Sequence, residues 1–327
     1  MADAILTLHD GRRLGYAEWG DPQAPPVVVF HGTPGCRCIG RGMEVPARLI
    51  VPDRPGYGLS DSNPGRRIRD YPADIEQLLD HLGIGRFHLF AISGGCPYLL
   101  ASALAFKERM LGGAVLSGIG SLHGDDVTEG MEPIQANMVK MAKHHPWLLR
   151  QVIAAQVRMA PSDPETVVRH MLASAPAADR IFAESTPGVI DALVDMQREA
   201  VHRVEGPLED ALALVRDWEL PLADVSAPVR FWHGGQDTKA PLRLTRQLVD
   251  AIPGAELTEV PGANHFGTLR FLPDAVRFLT SLPTPSDGGD VLGRPRQHLR
   301  QRHRWRRQGD RVGSVHIRPR PPRWCRA

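Results

Sequence analysis

Three residues carry the chemistry this sequence can do. Ser93 stands in Ala91-Ile92-Ser93-Gly94-Gly95, Asp237 closes the loop Gly234-Gly235-Gln236-Asp237, and His265 stands in Asn264-His265-Phe266-Gly267. A serine hydroxyl is a poor nucleophile until a base takes its proton, and that base is usually a histidine oriented by a carboxylate. Along this chain the three run serine, acid, histidine, one of the orders in which such triads occur. The expected reaction is attack of Ser93 on an acyl carbonyl. His265 acts as base and then acid, and Asp237 holds the imidazole. Asp125 is the reserve for the acid. Other histidines compete poorly: His31 precedes the serine, His233 falls inside the Asp237 loop, and His144-His145 adjoin Pro146 in a stretch where a surface position is expected.

The attacked carbonyl oxygen becomes an anion, and an oxyanion needs two N–H donors aimed at it. Gly94, next to the nucleophile, supplies one. The segment Phe30-His31-Gly32-Thr33-Pro34-Gly35 follows an apolar run. Pro34 has no N–H to give, so Thr33 is expected to supply the second. The small residues around Ser93 suit a tight strand-to-helix turn, where a sizeable side chain two positions away would collide with a neighbouring strand or helix. The strict Gly-x-Ser-x-Gly pattern has glycine where this chain has Ala91. By itself this short motif is weak, and its place between a strand and a helix is what raises it.

These loops need a scaffold that brings them to one edge. Residues 5–9 and 13–19 read as strands joined by an Asp10-Gly11 turn. Val27–Phe30 and Leu49–Val51 read as strands buried on both faces, and Phe87–Ile92, Leu111–Leu116, Pro228–Trp232 and Glu256–Val260 as further strands. Asp70–Leu82, Gly94–Lys107, Leu242–Ala251 and Phe271–Leu282 read as helices between or after them. Strands alternating with helices imply a mostly parallel central sheet with flanking helices. Ser93, Asp237 and His265 then all fall just past the C-terminal ends of strands, where catalytic groups collect in such sheets.

The alternation stops between Leu122 and Val225. Only helical candidates occur there: Ile134–Met141, Trp147–Met159, Glu165–Leu172, Val189–Arg198 and Leu208–Trp218. The expected organisation is an α/β core over 1–120 and 226–283, with an inserted helical cap over 121–225. Met138, Met141, Trp147 and Trp218 are placed either lining a cap pocket or in ordinary core, and core is the commoner fate at helical spacing.

A chain of 327 residues suits one large α/β domain with an insertion, or two domains. The net charge of +2 hides a break at Pro283. Residues 284–327 hold 12 Arg, no Lys and 3 Asp, a net of +9, which leaves −7 on the rest. The tail has no helical or strand period and little apolar content, so it is expected to be disordered. Its charge could attract nucleic acid without sequence specificity, and Trp305 lies within the Arg-rich run. The blander reading, an unselected extension, is preferred, and no specific nucleic-acid partner is expected. Apolar runs such as Val27–Phe30 are too short to cross a bilayer. Met1-Ala2-Asp3-Ala4 has no basic or apolar leader region, and four cysteines make no disulfide framework. A cytoplasmic setting is therefore expected. Cys36 and Cys38 lack a matching Cys/His pair at zinc spacing, and no phosphate-binding glycine motif occurs. The expectation is thus no metal, no cofactor, and a small-molecule substrate.

Taken together, the motifs resemble the α/β-hydrolase fold superfamily over roughly residues 5–282. The matching segments are the His31-Gly32 loop, Asp53-Arg54-Pro55-Gly56-Tyr57-Gly58-Leu59-Ser60, the Ser93 turn, the Gly234–Asp237 loop and Asn264-His265-Phe266. The resemblance implies a Ser93–Asp237–His265 triad and a helical cap, with a mainly structural role for the Asp53–Ser60 stretch. Epoxide hydrolases and haloalkane dehalogenases of this architecture use an aspartate nucleophile, so Ser93 argues against those activities. The reaction expected is hydrolysis of an ester or similar acyl bond through an acyl-enzyme. The alternatives are C–C hydrolysis next to a ketone, a lactonase or amidase on the same triad, and a small-molecule receptor that kept the pocket without turnover.

Overall fold

A computed structural model of the chain describes residues 3–283 except 42, 44, 160–162 and 175–176. The tail over 284–327 lies outside the described residues. Eight strands are described: β1 (Asp3–Thr7), β2 (Arg13–Trp19), β3 (Pro26–Phe30), β4 (Arg48–Pro52), β5 (Phe87–Ile92), β6 (Met110–Leu116), β7 (Val229–Gly234) and β8 (Glu256–Val260). They form one sheet in the order β1-β2-β4-β3-β5-β6-β7-β8. β2 pairs antiparallel with both β1 and β4, and every other neighbouring pair is parallel.

Helices cover both faces, which is why the central strands are mostly apolar. All six residues of β5 are buried. Because side chains alternate along a strand, they divide between two cores. Leu89 and Ala91 join Val28, Phe30 and Val115 on one face, packed on α1 (Pro72–His81) and α2 (Cys96–Ala105). Phe90 and Ile92 join Val27, Val29, Ala114 and Leu116 on the other. Two helices follow the last strands, α9 (Leu242–Ala251) after β7 and α10 (Leu272–Ser281) after β8. From α10, Ala275, Val276 and Leu279 close the second core.

Between β6 and β7 the described residues hold six α-helices and no strand. These are α3 (Pro133–His144), α4 (Pro146–Met159), α5 (Pro164–Ser174), α6 (Ala177–Ser185), α7 (Val189–Ala200) and α8 (Glu205–Leu214). Several boundaries differ from the sequence reading. β1 ends at Thr7 because the turn takes residues 8–12, with Leu8 N–H donating to Arg12 O and Gly11 at a φ of 87°. α2 starts only at Cys96, after one tighter turn over Ser93–Gly95. α8 stops at Leu214, whose carbonyl accepts the Trp218 indole N–H, so Trp218 caps the helix end from outside it.

Candidate active site

Ser93 follows β5, Asp237 follows β7, His265 follows β8, and the His31–Gly35 loop follows β3. All four follow the C-terminal ends of parallel strands. Ser93 has a φ of 51°, in the left-handed region that L-residues rarely adopt. Such a turn is tolerated only where the surroundings enforce it, and it lifts the serine off the strand end. The enforcement is visible in its neighbours. A Cβ built on Gly95 would lie 2.2 Å from the Phe30 carbonyl oxygen, so only glycine allows α2 to start there. Ala91 fits because its methyl is fully buried between its register partners Phe30 and Val115.

The structure brings the three sequence candidates together. Ser93 Oγ lies 3.0 Å from His265 Nε2, and His265 Nδ1 lies 2.7 Å from Asp237 Oδ2. Both bonds are satisfied when Nδ1 carries the proton and donates to the carboxylate, leaving Nε2 to accept from the serine hydroxyl. Asp237 Oδ1 accepts the N–H groups of Lys239 and Ala240, each at 2.9 Å, so the carboxylate is fixed in orientation. Burial pushes the Asp237 carboxyl up, but His265 and His233 more than offset it and hold it below the usual carboxylate range. Asp125 is exposed and takes no part.

His265 is held from behind by a residue the sequence reading missed. The Ser117 hydroxyl donates to the His265 carbonyl at 2.6 Å and lies 2.7 Å from Thr268 Oγ1. Ser117 follows β6 with a φ of 46°, and only its position just past a strand could have drawn notice.

Thr33 and Gly94 are also neighbours: a Cβ built on Gly94 would lie 3.3 Å from Thr33 N and 2.4 Å from Thr33 Oγ1. Behind Thr33 stands a buried polar cluster that no local sequence pattern announced. Arg54 and Asp210 are fully buried and paired, Nη2 to Oδ2, at 2.6 Å. Arg66 bonds both Glu209 and Asp210, and the Tyr98 hydroxyl donates to Asp210 at 2.8 Å. Two guanidiniums against two carboxylates leave the cluster neutral, as buried charge requires. His31 belongs to this cluster and not to the hydrogen-bonded run of Ser93, His265 and Asp237. Its Nε2 accepts the Arg54 N–H, Nδ1 faces Gly32 O, and burial, with Arg54 beside it, holds the ring well below the usual histidine range.

A cavity of about 730 Å³ opens at Ser93 and His265, within the usual size for small-molecule sites. Ile119, Leu122, Met138, Val139, Ile153 and Leu214 make it mainly apolar, and Thr33, Gln135, Gln156, Gln197 and Lys239 add polar groups beside Ser93 and His265. Among the described residues that line it, none carries a carboxylate. Of the aromatic and methionine candidates from the sequence, Met138 lines the cavity. Met141 and Trp218 pack in the core instead, and Trp147, 68% exposed, does neither. Cys36 and Cys38 are buried, and among the described residues no three His, Cys, Asp or Glu gather into a possible metal site.

The family model for the alpha/beta hydrolase fold matches residues 25–270, which include every element that positions this site. The chain belongs to the alpha/beta hydrolase fold family. It is thus an enzyme of the hydrolase class. A proline iminopeptidase of Xylella fastidiosa is 30% identical over 289 residues, covering 80% of this chain and 90% of that protein. Among solved structures, an alpha/beta hydrolase fold protein from Nakamurella multipartita superposes with a TM-score of 0.64 at 22% identity, covering 86% of this chain and 98% of that one. A thermophilic esterase from Thermogutta terrifontis gives 0.59 at 21%, covering 85% and 97%. These two likenesses speak to the fold alone. No helix among the described residues of this hydrolase is long and apolar enough to cross a membrane.

Proposed function

We propose that this hydrolase cleaves an ester or similar acyl bond of a small molecule through an acyl-enzyme at Ser93, beneath a helical cap formed by residues 121–225. The observation that carries the reading is the continuous hydrogen-bonded run from Ser93 Oγ through His265 to Asp237, ending in an apolar cavity. Ser93 Oγ attacks the carbonyl carbon as its proton passes to His265 Nε2. Asp237, kept ionised, stabilises the imidazolium. The Thr33 and Gly94 N–H groups receive the oxyanion. The C–O bond breaks as His265 returns the proton to the leaving alcohol. Water, deprotonated by the same nitrogen, then releases the acid and restores Ser93.

The cavity favours an uncharged, apolar acyl group. A substrate with a free N-terminal proline, of the kind an iminopeptidase would take, carries a secondary ammonium. Burying that charge costs several kcal/mol unless a carboxylate meets it. Glu209 and Asp210, on the same helix as the lining residues Pro207, Ala211 and Leu214, are occupied by Arg54 and Arg66, and Glu132 is occupied by the lining Lys239. The test compares kcat/KM for p-nitrophenyl butyrate and proline p-nitroanilide on purified protein. The ester is expected to be preferred by at least about 10³-fold, because an uncompensated buried charge costs several kcal/mol and every 1.4 kcal/mol is about tenfold. Preference for the proline anilide would refute the assignment of substrate class.

A further inference from the structure

Helix α8 presents two faces. Pro207, Ala211 and Leu214 line the cavity at Ser93. Gly206, Glu209 and Asp210 lie on another face and are buried. That face meets the loop after β4 at very close range. A Cβ on Gly206 would lie 2.8 Å from the Gly56 carbonyl oxygen, and one on Gly56 2.7 Å from Gly206 N. Only a pair of glycines permits this approach. It delivers Asp210 to Arg54, the residue two before Gly56.

We propose that Asp210, contributed by the helical stretch and not by the sheet, is a positioning residue of the oxyanion hole that acts on Thr33. The inference rests on the reading of Ser93 as an acylating nucleophile. In a trans peptide the carbonyl of Gly32 and the N–H of Thr33 point in opposite directions. The Gly32 carbonyl accepts from Arg54 Nη2 at 2.7 Å and has His31 Nδ1 at 2.8 Å. Donors gathered on that side turn the Thr33 N–H to the other. The Thr33 hydroxyl donates to Asp210 Oδ2 at 2.8 Å and accepts from Arg54 Nη2 at 2.9 Å, which fixes the side chain and spends its one proton away from Ser93. Arg54 also donates to the His31 carbonyl. Asp210 thus anchors the guanidinium that anchors the loop. Burial pushes the Asp210 carboxyl up, but Arg54 and Arg66 hold it well below the usual range, so the anchor stays charged.

An oxyanion exists only after attack, so a loosened hole lowers kcat and leaves substrate binding alone. Thr33→Val removes the hydroxyl while keeping the backbone N–H and every ion pair. On p-nitrophenyl butyrate it is expected to lower kcat about 10- to 100-fold, with KM changed by no more than about twofold and the melting temperature nearly unchanged. Thr33→Ser, which restores the hydroxyl, is expected to bring kcat back to within about threefold of the parent. Asp210→Asn is expected to lose at least as much kcat as Thr33→Val, and the double variant to lose no more than Asp210→Asn alone, since both act on one element. Should Asp210→Asn fail to fold, because Arg54 loses its charge partner and Arg66 one of its two, the valine and serine pair decides the matter. Unchanged kcat in Thr33→Val, a loss confined to KM, or a loss that serine does not recover overturns the proposal while the parent still turns over ester. An inactive parent that does not label at Ser93 overturns this inference together with the reading beneath it.

Discussion

Ser93→Ala is expected to lower kcat on p-nitrophenyl butyrate by about 10⁶, and His265→Ala by a similar factor, as members of a triad acting as one unit do. The variant with both changes is expected to be no worse than either alone. Neither replacement should unfold the protein. Alanine and serine bear the same Cβ at the φ of 51°, and the Ser93 carbonyl keeps the Ile119 N–H at 3.1 Å. The His265 carbonyl keeps the Ser117 hydroxyl. Initial-rate kinetics together with circular dichroism check both points. Hydrolysis by Ser93→Ala within tenfold of the parent would remove the nucleophile from the account.

Asp237→Asn carries the second largest effect, a loss of about 10⁴ in kcat. The asparagine oxygen can keep the N–H groups of Lys239 and Ala240, so the loop is expected to stand. Its amide NH₂ then faces His265 Nδ1, which must accept. The ring proton moves to Nε2 and points at Ser93, where it blocks proton abstraction. Asp125→Asn, at an exposed position, is expected to leave the rate unchanged. The pair is decided by kcat measured at a pH where histidine is neutral. A mild Asp237→Asn beside a severe Asp125→Asn would reassign the acid.

The legible parts of this molecule are those written in local pattern. β5 and β3 fall where the apolar runs place them, because a strand buried on both faces has little freedom in composition. The loops bearing Ser93, Asp237 and His265 were readable because tight turns at strand ends demand small residues around one functional side chain. The helical stretch was harder. α6 escaped notice because its nine residues are too few to repeat a helical apolar spacing more than about twice, and its Ile181 is exposed. Trp147 sits exposed in the first turn of α4, showing that residue type does not reveal which face a helix turns inward. The Arg54–Asp210 pair joins residues 156 positions apart, and no periodicity connects them. Arg54 stood in plain view within the Asp53–Ser60 stretch, but its partner is set by how α8 lies against that loop.

The central claim is that Ser93 becomes covalently acylated. The most direct measurement is reaction of the full chain with a fluorophosphonate, followed by intact mass and peptide mapping. The account requires a single phosphonate on the peptide containing Ser93, abolished in Ser93→Ala and strongly slowed in His265→Ala. An enzyme that hydrolyses p-nitrophenyl butyrate yet takes no adduct, or takes it at another residue, would contradict it.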